Sequence, residues 1–430
     1  MKVQIPYGSG SIMAEVPDST KVVEMKNLPA VADVASAIRT AVQNPIGSRP
    51  LREIARGKSD AVIVINDITR PTPTRDMLIV LLEELKQSGI NMEQVKIVIA
   101  CGNHRPSTDK DIDEMIGADL AAQLEIFSHN CEDSDNLTYL GETKRKMPVW
   151  VNSIVAKSSI KILTGLITPH HSAGYSGGRK SILPGVAGIK SLSIHHSFPI
   201  RPFEPSMGWM EGNPFHEEAL EGAKLVGVDF IVNVVSNVQG EVVAAVAGDL
   251  DKAHKQGVKI CEESWGIEID KKFDVVITSP GGFPRDYDLH QAQKAVSAAE
   301  MVVNEGGVII LVAECPERIG KFEFWLKEAK SPQEVIDRFN KEGFTKDQSS
   351  KAFMLARALV KHQVYVINSY ISEKDLTEMH FKYASSVEKA LSELHTEKGS
   401  KELSVLLIPY AIDCIPIVKV TDKEQKEVSI

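Results

Sequence analysis

The sequence holds little that would tie it to several large protein classes. Its five cysteines (Cys101, Cys131, Cys261, Cys315 and Cys414) are odd in number, widely scattered and never spaced as CxxC. A disulfide framework and a zinc–thiolate site are therefore not expected, and a reducing, cytoplasmic setting fits best. Cys101 reads as a small buried residue at a strand end. No uninterrupted apolar run reaches the roughly 18 residues that a membrane-spanning helix needs. The opening stretch "MKVQIPYGSGSIMAEVPD" lacks the apolar core of a signal peptide and reads as strand, turn and strand. Positive charge is not in excess either, since 49 basic and 58 acidic side chains leave a net charge of −9. Neither nucleic acid nor a membrane is an expected partner. No internal repeat or low-complexity tract interrupts the chain, and no convincing GxGxxG follows a strand. A dehydrogenase using soluble nicotinamide is accordingly a poor fit.

What is present is regular. A chain of 430 residues is too long for one core, so two domains or three are expected. After the N-terminal hairpin, helical patterns fall near 32–43 and 49–56. "DAVIVIND" is then a short apolar run, and "TRDMLIVLLEELKQSG" has helical spacing and a terminal glycine. "VKIVIACGNH" is the next strand, "STDKDIDEMIGADLAAQLE" the next helix, and "IKILTGLI" a further strand. Such alternation predicts a largely parallel sheet covered by helices. "FIVNVVSNVQGEVVAAVAGD" reads instead as an antiparallel hairpin turning at Gln239-Gly240. A second series starts at "DVVITSPGG" and continues through "GGVIILVAEC", "HQVYVINSY" and "ELSVLLIPY". The reading is an α/β protein of two domains, 1–266 and 267–430, each a largely parallel sheet flanked by helices. The active site is expected in the interdomain cleft, and the C-terminal tail is expected to pack back on the first domain.

Ligands of open α/β sheets sit beyond the carboxyl ends of the strands, and the polar residues collect there. "VIVIN" runs into Asp67 and Arg70, "KIVIA" into His104 and Arg105, and "KILTGLI" into "TPHHSAGYSGGRKSILPG" with His170, His171, Arg179 and Lys180. Each has a plain structural reading: Asp67 as a turn cap, His104 as a loop histidine satisfied by backbone, "SGGRKS" as a turn with a solvated basic pair. Three coincidences at one sheet edge are harder to accept. "GYSGGRKS" misses the phosphate-binding Gly-x4-Gly-Lys-Ser/Thr pattern, because Arg179 stands where the last glycine belongs. Gly177, Gly178 and the basic pair still suit an anion cradle. Downstream, "SIHHSF" offers His195 and His196, and "LHQAQKA" puts Gln291 and Lys294 three apart, on one helical face.

"DITRPTP", "GNHRP", "PHHSAGYSGGRKSILPG", "HHS" and "HQAQK", in this order over nearly the full length, resemble the lactate racemase family. The resemblance implies a nickel-pincer nucleotide cofactor (pyridinium-3-thioamide-5-thiocarboxylic acid mononucleotide with nickel), supplied by dedicated biosynthetic proteins. By that resemblance His104 and His170 are the general acid and base, and Lys180 carries the nucleotide through a thioamide. His196 is the nickel ligand, the pincer itself giving sulfur, carbon and sulfur. Asp67 and Arg70 lie near cofactor and substrate, and Gln291 and Lys294 face the substrate. The choice of His170 over His171 and of His196 over His195 rests on spacing alone.

The chemistry suits these residue types. A C2 proton beside hydroxyl and carboxylate is only weakly acidic. Reversible hydride transfer to the cofactor, with a histidine taking the hydroxyl proton, avoids a carbanion. Planar soft donors plus imidazole fit nickel. One departure bears on substrate: the lactate-specific pattern has tyrosine before the glutamine, whereas His290 stands here. A larger or more polar 2-hydroxy acid is then open, with Arg285 either a loop surface residue or the partner of a second carboxylate. The expectation is a racemase or epimerase of small 2-hydroxy acids. A non-catalytic protein that stores or delivers a nucleotide or metal is the alternative, and it has no use for an acid–base pair.

Overall fold

The computed structural model describes residues 1–345, 349–398 and 402–418. The chain forms two compact units. One comprises Asn27–Pro202 and Ser206–Ser264; the other comprises Met1–Lys26, Phe203–Pro205 and the chain from Trp265 onward.

The first of these, the middle unit, is built on a six-stranded sheet. Its order is Val242–Gly248, Phe230–Ser236, Lys161–Ile167, Ala61–Asn66, Val95–Ala100, Glu125–Ser128. Neighbours pair in parallel except the outermost hairpin of Phe230–Ser236 with Val242–Gly248, which is antiparallel and matches the sequence reading. "AVIVIN" shows why the sheet is covered on both faces. Val62 and Val64 join one buried cluster with Leu163 and Ile231, while Ile63 and Ile65 join another with Ile97 and Phe230. A strand buried on both faces must be apolar throughout, and its period of two divides it between two cores. The helix Thr74–Ser88 ends at Gly89, whose φ of 100° provides the left-handed cap. The first strand of this sheet in chain order, Ala61–Asn66, lies between Val95–Ala100 on one side and Lys161–Ile167 on the other. The strand order reverses there, and the carboxyl ends flanking such a reversal are where open α/β sheets bind their ligands.

The terminal unit has a second six-stranded sheet, parallel throughout. Its order is Lys382–Ala384, Gln363–Ile367, Val303–Val312, Phe273–Thr278, Val405–Ile408, Lys21–Val22. The expected cut at 266/267 put residues 1–26 in the first domain, and the structure places them elsewhere. Lys21–Val22 extends the second sheet, and Val3, Ile5, Ala14 and Val16 of the N-terminal hairpin pack with Val275, Ile310 and Leu407. Phe203–Pro205 also belongs to this unit. The Phe203 carbonyl accepts from Arg357 at 3.0 Å, and Glu204 pairs with Lys361 at 2.8 Å. Arg357 is buried against Glu300, with both side chains 2% exposed. Part of the expectation for the C-terminal tail falls on residues 419–430, outside the described residues. Among the described residues no helix is long and apolar enough to cross a membrane.

Candidate active site

Asp67 follows directly on the strand Ala61–Asn66 and is buried, while His104 follows Val95–Ala100 and is half-exposed. The structure brings them together: His104 Nδ1 lies 2.6 Å from Asp67 Oδ2. The other carboxylate oxygen accepts from the Thr69 hydroxyl at 2.6 Å and the Thr69 N–H at 3.2 Å. Asp67 thus caps its own turn, as the plain reading had it, and also holds the imidazole. Burial opposes its ionisation, but the hydrogen bonds from His104 and Thr69 and the charges of His104 and Arg70 outweigh burial. The carboxyl is held below its ordinary range. Facing a carboxylate, the His104 ring keeps a proton on Nδ1, so that loss of its other proton leaves a lone pair on Nε2. Arg70, on the same loop, is exposed.

His170 is held the opposite way. It lies in the short strand Pro169–His170, and its Nδ1 accepts the backbone N–H groups of Ser172 and Ala173, each at 3.1 Å. Its proton therefore sits on Nε2. Burial, and after it the charge of Lys180, press the ring well below the ordinary histidine value, with His171, Arg70 and Arg179 adding to the effect. His171 stacks on His170 with ring centroids 4.4 Å apart.

Lys180 lies in a short helical turn, Gly178–Ser181. Burial and the cations Arg70 and Arg179 push its amine well below the ordinary lysine value. Among the described residues no carboxylate forms an ion pair with it. Gly177 (φ 78°) and Gly178 (φ 51°) take left-handed conformations, and a Cβ on Gly177 would lie 2.8 Å from Ile167 and 2.9 Å from Asn233 Oδ1. That same Asn233 oxygen accepts the Gly178 N–H at 2.8 Å. Only glycine fits against this strand, and the turn leading to Lys180 is fixed by it.

His196 caps the helix Ile189–His195, and its Nδ1 donates to the Leu192 carbonyl at 3.0 Å, which puts the ring's lone pair on Nε2. Burial, then His195, Arg201 and Lys180, keep it well below the ordinary histidine value. His195 is fully buried, and its Nε2 is committed to the Phe215 carbonyl at 2.9 Å. The charge of Lys180 lowers His170, His195 and His196 alike, and all four residues belong to the middle unit. Among the described residues no three His, Cys, Asp or Glu side chains converge to hold a metal. A metal bound at His196 needs donors from a cofactor.

In the terminal unit, Asp288 caps the helix Leu289–Glu300 by accepting the Gln291 N–H. Lys294 Nζ donates to Gln291 Oε1 at 2.7 Å, so the two share a face as their spacing predicts. His290, one residue earlier, lies 6.4 Å from the Phe322 ring. Sequence reasoning missed Asn233 and His254, both buried beside the glycine turn. A lone asparagine inside the apolar run "FIVNVVS" was the available signal for the first; the helical setting of His254 gave none.

Comparison with known proteins agrees with this architecture. The Lactate racemase N-terminal domain family matches residues 7–206, and the Lactate racemase C-terminal domain family matches residues 269–416. The lactate racemase of Thermoanaerobacterium thermosaccharolyticum is 33% identical over 402 residues, covering 90% of this chain and 93% of that protein. The lactate racemase of Lactiplantibacillus plantarum is 30% identical over 424 residues, covering 96% and 99% respectively. The solved structure of the Thermoanaerobacterium lactate racemase apoprotein superposes with a TM-score of 0.85 at 31% identity, over 98% of this chain and 100% of that one. A Thermotoga maritima protein shares the fold, with a TM-score of 0.62 at 16% identity over 92% and 100%. The chain belongs to the lactate racemase family of isomerases.

Proposed function

We propose that the protein interconverts the antipodes at C2 of a small, lactate-like 2-hydroxy acid, using a nickel-pincer nucleotide. The observation that carries this reading is the pair of imidazoles in opposite tautomers after strands of one sheet, His104 with a lone pair on Nε2 and His170 with a proton there, His170 also feeling the charge of a lysine amine of depressed pKa. The residues suit the cofactor. Lys180, neutral more readily than an ordinary lysine, suits covalent attachment. Its cationic neighbours Arg70 and Arg179 suit an anionic nucleotide beside it. Gly177 and Gly178 let the backbone approach, and His196 offers Nε2 to a metal. When bound, the nucleotide would supply an acceptor that takes a hydride from C2 and returns it.

The chain's own tasks are orientation and proton handling. His104 takes the hydroxyl proton of one antipode at Nε2, and Asp67 stabilises the imidazolium that results. His170 serves the other antipode. It rests with its proton on Nε2, so accepting one there requires a change of tautomer, in which the Ser172 and Ala173 N–H groups release Nδ1. Arg70 binds the substrate's carboxylate; in the terminal unit, Gln291 and Lys294, with His290 preceding them, keep the substrate-contact role that the resemblance implies. The lactate racemases named above support a lactate-like substrate, and His290 in place of tyrosine supports a side chain other than methyl.

The test is a panel of single-stereoisomer 2-hydroxy acids with cofactor-loaded protein, read by chiral chromatography. Inversion with C2 deuterium retained in the substrate pool is expected. No turnover on any member, or exchange of C2 deuterium with solvent, overturns the reading.

A further inference from the structure

The turn between His170 and Lys180 closes around a buried cation. Arg179 is 1% exposed and immediately precedes Lys180. Its Nη2 donates to the Ala173 carbonyl at 2.7 Å, and its Nη1 makes longer contacts with the Ser176 carbonyl (3.4 Å) and the Gly177 carbonyl (3.3 Å). No carboxylate forms an ion pair with it among the described residues; carbonyl oxygens of its own turn receive it instead. Burial lowers its pKa to about 9, so it is still a cation at neutral pH.

His254, 1% exposed and carried by the helix Lys252–Trp265, closes the arrangement from the other side. Its Nε2 lies 2.9 Å from Arg179 Nη1 and 2.8 Å from the Ser176 carbonyl. The ring fills the space over Gly178, where a Cβ would come within 2.9 Å of His254 Cδ2.

Ala173 is the link to chemistry. Its N–H holds His170 Nδ1, and its carbonyl is the one Arg179 grips most closely. The neighbouring Ser172 carbonyl is held by Asn213 at 2.9 Å. Asn213 therefore anchors the peptide that carries the Ala173 N–H, and Arg179 anchors the next peptide through the Ala173 carbonyl.

We propose that Arg179 and His254 form a positioning clamp which, through Ala173, sets the tautomer of His170 and holds it in register with Lys180. The clamp's importance for turnover rests on the role of His170 proposed above, but its existence does not. A rigid planar fork holds the Ala173 carbonyl on one nitrogen while the other reaches the Ser176 and Gly177 carbonyls, whereas an ammonium has its donors on one atom and cannot span both positions. The imidazole keeps the fork from swinging away.

The test uses full-length protein labelled with 15N-histidine and free of cofactor, with His170 assigned by the resonances lost in His170→Gln. Long-range proton–nitrogen correlation should find wild-type His170 protonated on Nε2 at neutral pH. His254→Phe keeps the bulk and removes the nitrogens; it should give a mixture of His170 tautomers. His254→Gln, which can still meet Arg179, should restore the wild-type pattern. Arg179→Lys should behave as His254→Phe does, and it decides alone if the phenylalanine variant does not fold. Loaded His254→Phe should lose about tenfold or more in kcat with KM little changed. A folded His254→Phe or Arg179→Lys protein with the wild-type His170 signature overturns the clamp, whatever the turnover. Wild-type protein inactive on every 2-hydroxy acid, with the His170 tautomer still lost in the variants, overturns the racemase reading and leaves the clamp standing.

Discussion

Asp67→Asn separates the carboxylate's charge from its shape. In the wild type, one carboxylate oxygen receives both Thr69 donors and the other receives His104 Nδ1–H at 2.6 Å. A carboxamide has one acceptor and one donor end. The two Thr69 donors claim the acceptor end, so the NH2 group is turned toward His104. The imidazole can meet it only by accepting at Nδ1, which moves its own proton to Nε2 and removes the lone pair that the proposed proton abstraction uses. General acid–base catalysis contributes about 10²–10⁴-fold, and the same substitution in another His–Asp pair costs about 10⁴ in kcat. Turnover of Asp67→Asn should fall by about 10²–10⁴-fold with KM within a few-fold of wild type. For a true pair of enantiomers the equilibrium constant is one, so kcat/KM must fall equally in both directions. Chiral chromatography from each enantiomer reads the rates, and 15N chemical shifts of His104 read the tautomer. Activity within threefold of wild type, or a His104 still protonated on Nδ1, would refute the reasoning.

Four further outcomes follow from the same structure. Because burial, Arg70 and Arg179 depress the Lys180 amine, an amine-reactive reagent at mildly alkaline pH should modify Lys180 faster than exposed Lys58; peptide mass spectrometry showing the reverse order contradicts this. Gly178→Ala must accept a φ of 51° and a Cβ 2.9 Å from His254, and should cost about 1–3 kcal/mol by urea unfolding; an unchanged midpoint refutes it. His195 and His216 are pushed down to about 3, and His170, His196 and His254 lie well below 6.5, by burial first in every case. Below the unfolded value the unfolded chain binds more protons, so stability falls as pH drops through about 6.5, and His195 alone accounts for about 2 kcal/mol between pH 6.5 and 5. A melting temperature that stays flat from pH 7.5 to 5 refutes the assignment. Burial raises the Glu300 carboxyl despite Arg357, so Arg357→Met should cost about 3–5 kcal/mol while Arg357→Met with Glu300→Met recovers most of the loss; equal losses for the single and double variants contradict this.

The placement of the candidate residues was legible where its information is local. "VIVIND", "KIVIACGNH" and "KILTGLITPHH" each show a strand and the ionisable residue that leaves its carboxyl end, so Asp67, His104 and His170 could be read together before any coordinates. What the spacing could not give was the tautomer of each ring, because this depends on partners folded against it: Asp67 for one, two backbone N–H groups for the other. His254 lies 76 positions beyond Gly178 in the chain, on a helix with its own apolar face, so its ring over the glycine is visible only in space. The place of residues 1–26 failed for the same reason. Lys21–Val22 is too short to carry a pattern of its own, and its partner strand is Val405–Ile408.

That pairing has a consequence for biosynthesis. Lys21–Val22 leaves the ribosome before the middle unit does, yet the strand it pairs with, Val405–Ile408, is made only after that unit. The segments 27–202 and 206–264 are complete long before then, and can collapse while the leading hairpin still waits with its apolar side chains unmatched. A C-terminal deletion that removes Val405–Ile408 would therefore strip the partner from Lys21–Val22 as well. Dissecting the protein into separately expressed halves calls for joining residues 1–26 to the segment from 265 onward, rather than for one cut in the middle.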